Sequence, residues 1–137
     1  MRHIVFSSLL FFAIAVCLSI INSSPDYAAA DESLDGKSFQ VKITEYGKGG
    51  QPTDDVLIFK DGTFFSTDCE QYGFGSAQYE SVSKGGATLF EATAKSKTDG
   101  ITEWEGKVQG DSITGNFMWS KKDQEPIMYT YAGSLKK

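Results

Sequence analysis

The stretch Ile101 to Trp119, ITEWEGKVQGDSITGNFMW, constrains this chain more than any other. Gly110-Asp111 sits between two alternating runs, the signal of a two-residue β-hairpin turn. Pairing outward from that turn sets Val108 against Ile113, Gly106 against Gly115, Trp104 against Phe117 and Thr102 against Trp119. Side chains alternate across a strand, so this set shares one face. Glu103, Glu105, Lys107, Thr114 and Asn116 take the other. One face is aromatic and apolar, the other polar. A chain built on such a ribbon must bury the aromatic face against more sheet.

The rest of the chain supplies that sheet. Phe39, Val41 and Ile43 alternate with Ser38, Gln40 and Lys42, which reads as a half-buried strand over Lys37 to Thr44. Glu45 to Asp55, with Gly47, Gly49, Gly50 and Pro52, reads as a loop. Val56 to Lys60 and Thr63 to Thr67 flank Asp61-Gly62, a strong hairpin signal. Both faces of that hairpin are apolar: Leu57, Phe59 and Phe64 on one, Val56, Ile58 and Phe65 on the other. Asp68 to Ser76 is irregular. Ala77 to Val82 and Ala87 to Ala94 form a further hairpin around Lys84-Gly85-Gly86. A two-residue turn there would place Glu80 opposite Glu91, a like-charge pair, so the pattern predicts a four-residue loop. Ile127 to Leu135 is the last strand, with Ile127, Tyr129, Tyr131 and Leu135 on one face.

These runs predict eight strands and no clear helix, an all-β chain. An antiparallel meander with one apolar face buries it by closing into an up-and-down barrel, which also removes the sheet edges. A two-sheet β-sandwich is the alternative. The strand order resembles the calycin group of eight-stranded barrels, lipocalins and avidins among them. Where lipocalins carry Gly-x-Trp at the first strand, this chain has Lys37-Ser38-Phe39. The pattern Trp104, Gly106, Gly110-Asp111, Ile113, Gly115, Trp119, Tyr129 and Gly133 resembles small exported bacterial β-barrel proteins. That resemblance implies location and fold, and no activity.

The N-terminus points to export. Met1-Arg2-His3 is a short basic start, Ile4 to Ile21 an apolar run, and Ala28-Ala29-Ala30 a small-residue cleavage site. Together they read as a signal peptide over 1–30, leaving a single domain at 31–137 with no membrane span, in the periplasm or medium. An uncleaved anchor is the rival. A lipidated Cys17 is disfavoured, because Val16 precedes it and apolar residues follow. The net charge is −5. Removing 1–30 takes away Arg2, Asp26 and the lone histidine, His3, and leaves that balance unchanged. An acidic domain without arginine lacks the basic patch that nucleic-acid binding needs.

Without histidine, no Ser-His-Asp or Cys-His arrangement can form, and the usual zinc and copper sites go too. Glu103 and Glu105 read as solvated surface, Asp54-Asp55 and Asp61 as turn residues, and no calcium-loop spacing is present. Cys69 lies between Asp68 and Glu70, which would blunt a thiolate, and reads as a packed or loop thiol. The expectation is a monomeric, non-enzymatic protein without cofactor or metal. Its partner would be a small apolar molecule in the barrel mouth, met by Tyr72, Phe74, Trp119 and Tyr129. The interior aromatics could instead fill the barrel completely. The protein would then be an interaction module or an inhibitor of a secreted protein, acting through the outer surface at Ile58 and Phe65.

Overall fold

A computed structural model describes residues 33–137, so the signal-peptide reading over 1–30 lies outside the described residues. Eight antiparallel strands close into one up-and-down barrel. They are β1 (Ser38–Glu45), β2 (Thr53–Lys60), β3 (Thr63–Ser66), β4 (Ala77–Lys84), β5 (Ala87–Ser96), β6 (Gly100–Gln109), β7 (Ser112–Ser120) and β8 (Ile127–Leu135). β8 returns to pair with β1 through Val41 opposite Gly133 and Ile43 opposite Tyr131, so no edge remains. The barrel, rather than the sandwich, is the observed fold.

The β6–β7 ribbon has the register its turn dictates: Trp104 opposite Phe117, Gly106 opposite Gly115 and Thr102 opposite Trp119. The Asp61-Gly62 turn likewise joins Lys60 directly to Thr63. The β4–β5 hairpin differs from expectation. Lys84 pairs with Ala87 across a two-residue turn, and Glu80 does lie opposite Glu91. Gly85 and Gly86 have φ of 59° and 79°. A tight hairpin turn of this hand needs positive φ at both central positions, which Gly-Gly supplies without strain. Both carboxylates are exposed, so water screens their repulsion. β2 also starts earlier than its breakers suggest, bringing Asp54 and Asp55 into the strand rather than a turn.

Inward residues form an aromatic column. Phe39 meets Phe59 edge-on, Phe59 meets Phe64, Phe64 meets Trp104, and Trp104 stacks on Phe117 at 3.9 Å between ring centroids. Phe117 in turn stacks on Tyr129 at 4.7 Å. Two facing glycines make room for one more ring. A Cβ on Gly106 or Gly115 would collide with the Tyr131 hydroxyl, which donates to the Glu105 carbonyl at 2.7 Å. Burial pushes the Tyr131 phenol well above its ordinary value.

The barrel ends differ. The turns at Asp61-Gly62, Gly85-Gly86 and Gly110-Asp111 gather at one end with Ser33 to Lys37. This lead-in, polar on average, contributes a plug: Leu34 is fully buried in the core. Its backbone N–H donates to the Tyr79 hydroxyl at 2.9 Å, which itself donates to Asp35 Oδ1 at 2.8 Å. Asp35 also accepts from the Gly62 N–H at 3.0 Å. The other end carries the longer connections, 46–52, 67–76, 97–99 and 121–126.

Candidate functional site: the open mouth of the barrel

Within the loop end lies a cavity of about 340 Å³. Tyr72, Phe74, Trp119 and Tyr129 all line it. The strands bring Trp119 and Tyr129 there: Trp119 ends the inward face of β7, and Tyr129, opposite Phe117, lies on that of β8 one layer below Ile127. The loop between β3 and β4 brings the other two. It contains a 3-10 turn, Cys69–Tyr72, ended by Gly73 at φ 82°. That reversal turns Phe74 into the barrel, where it is buried, and leaves Tyr72 half exposed at the rim.

Hydrogen bonds fix this loop. Asp55, buried on the inward face of β2, accepts from Ser66 Oγ at 2.5 Å, from Thr67 Oγ1 at 2.9 Å and from the Asp68 backbone N–H at 2.9 Å. Its three donors span the start of the loop, so one carboxylate holds the exit from β3. From the other side, Ser96 Oγ donates to the Tyr72 carbonyl at 2.7 Å and accepts from the Asp99 N–H at 3.1 Å. Ser96, at the end of β5, therefore ties the β3–β4 loop to the β5–β6 turn.

The Trp119 indole N–H donates to the Asp99 carbonyl at 2.6 Å. Its polar edge is satisfied, which frees the ring face for contact. The Asp99 carboxylate accepts from Thr98 and pairs with Lys121 Nζ at 3.2 Å, and both contacts hold its pKa below the usual carboxylate range. Burial pushes the Cys69 thiol up to about 11; neighbouring Asp55 and Asp68 act in the same direction, against the hydrogen bond with Ser66. The thiol is therefore protonated at neutral pH and is a poor nucleophile. Burial, with Asp55 nearby, also raises Asp68, and burial raises the Tyr129 phenol.

Deeper in, the cavity meets Ile43, Phe117 and Thr102. Thr102 is 2 % exposed, and its hydroxyl has no hydrogen-bond partner among the described residues. A buried hydroxyl left unpaired costs about 1–3 kcal/mol, so this group stands out in an otherwise satisfied wall. The β6–β7 register already put Thr102 on the inward face, opposite Trp119. Asp55 was readable as inward by parity with Leu57 and Phe59, but its polarity and its place beside Asp54 made it read as a turn residue. Ser96 and Asp99 carry no such signal, because loop partners are not set by periodicity.

On the outer wall, Ile58 and Phe65 lie directly opposite each other and are half-buried. A separate shallow groove of about 470 Å³ crosses β4 to β7 over Glu80, Glu91, Glu105 and Asn116. Among the described residues no cluster of His, Cys, Asp and Glu is arranged to hold a metal ion. Comparison of the chain with protein-family models, with curated proteins and with solved structures finds no match.

Proposed function

We propose that this is a non-enzymatic, exported binding protein with a calycin-like barrel that holds a small apolar molecule in its open mouth. The observation that carries the reading is the convergence of Tyr72, Phe74, Trp119 and Tyr129 on one cavity above a packed aromatic column. Small-molecule sites are concave and mostly apolar, with a few polar groups that orient the ligand. The tyrosine hydroxyls and Thr102 are such groups here. The cavity opens at the end whose loops are long, where binding residues collect on a rigid scaffold. Cys69 supports a non-catalytic role, since its thiol is held protonated.

Titration with prodan, a neutral environment-sensitive dye, tests the reading. Its emission should shift to the blue and saturate. Trp119→Ala should weaken binding about tenfold, a loss of roughly 1.4 kcal/mol, and Ile58→Ser should leave it unchanged. Binding that Ile58→Ser weakens and Trp119→Ala does not would move the site to the outer wall. That outcome favours the rival, a protein-interaction module or inhibitor acting through Ile58 and Phe65.

A further inference from the structure

We propose that the mouth selects small arylalkyl amines bound as cations, with the ammonium beside Asp68 and a ring hydroxyl at Thr102. The proposal rests on the reading of the mouth as a small-molecule site and names the chemistry of its ligand.

Two independent observations carry it. The first is charge. The cavity is lined by Asp68 and Asp99 and by no lysine. Lys121 neutralises Asp99. Asp68 accepts only from the neutral Gln71 side chain, at 3.0 Å, and forms no ion pair among the described residues. Buried Asp55 stands behind it, also without a cation. The mouth therefore carries uncompensated negative charge beside the rings of Tyr72, Trp119 and Tyr129. Such a setting attracts an organic cation twice, through the carboxylate and through the negative ring faces. It repels a carboxylate ligand such as a fatty acid.

The second observation is Thr102, a residue of the cavity wall whose buried hydroxyl has no partner among the described residues. It lies in the layer of Trp119, one step toward the mouth from Trp104. A polar group on the far end of a compact ring would satisfy it. Amine at one end, ring between, hydroxyl at the other is the pattern of tyramine.

Calorimetric titration with four probes of one body separates the contributions: tyramine, phenethylamine, phenethyl alcohol and 3-phenylpropionate. Phenethylamine should bind about tenfold tighter than the alcohol, with the carboxylate weakest. Tyramine should gain about a further fivefold. Asp68→Asn should bring the amine and the alcohol level, and Thr102→Val should bring tyramine and phenethylamine level. Melting curves of both variants establish that each is folded. Equal binding of amine and alcohol by the unaltered protein overturns the proposal. If all four probes fail while prodan still binds in a Trp119-dependent way, the amine class is wrong and the mouth remains a site. If prodan fails as well, both readings fall.

Discussion

At one end of the barrel three two-residue turns hold the strands, and Leu34 fills the space between them. At the other end four longer connections surround a cavity floored by Phe117 and Thr102. The same strands run through both. What differs is how each end meets its polar groups. At the closed end Asp35, Tyr79 and the Leu34 and Gly62 N–H groups satisfy one another. At the open end, among the described residues, the Thr102 hydroxyl has no partner and Asp68 no counter-charge. A barrel of this size is just wide enough for side chains to fill or for one small ligand. This chain does the first below Phe117 and leaves space above it.

The contrast can be broken by paired substitutions. Trp104→Ala should cost about 3–5 kcal/mol in denaturant unfolding, as large core aromatics do. Trp119→Ala, half-buried at the mouth, should cost only about 1–2 kcal/mol. Equal costs would mean that the mouth is packed like the core. Leu34→Ala should cost about 2–4 kcal/mol despite its place just before the first strand. A neutral result would show that the closed end is not plugged. Asp55→Asn should cost about 1–3 kcal/mol, because it weakens a carboxylate with three donors. Its effect should extend to faster amide exchange at Cys69 to Phe74.

The smallest effect is the pH response of Cys69. Its folded value, about 11, lies above its ordinary value of 9.0. The folded state therefore holds the proton more tightly than the unfolded state. That contribution to stability is fully present below pH 9 and is lost as pH rises through about 11. Alkylation of the folded protein by iodoacetamide should be slow at pH 8 and rise about tenfold per pH unit up to that value. Rapid alkylation at pH 7 would reveal an activated thiol and revive an enzymatic reading.

Much of this fold was legible in the residues. Alternation located all eight strands, and Asp61-Gly62 and Gly110-Asp111 set two registers. The third hairpin was misjudged, since repulsion between exposed Glu80 and Glu91 is weaker than the preference of Gly85-Gly86 for a tight turn. Leu34 escaped notice because a lone apolar residue in a polar lead-in has no periodicity. At the mouth, Trp119 and Tyr129 were readable by parity, and Tyr72 and Phe74 by their place in the irregular stretch between two strands. The carboxylate hub at Asp55 and the Ser96 tie between loops were not, because both depend on contacts far apart in sequence.

The decisive property is which end of the barrel takes a ligand. Amide and indole chemical shifts of ¹⁵N-labelled protein, followed while phenethyl alcohol is added, measure this residue by residue. The predicted result is a saturable shift of the Trp119 indole N–H and of amides at Tyr72, Phe74, Thr102 and Tyr129. Leu34, Ile58, Phe65 and Gly85 should stay still. Shifts centred on Ile58 and Phe65, or none at Trp119 at any concentration, would contradict it.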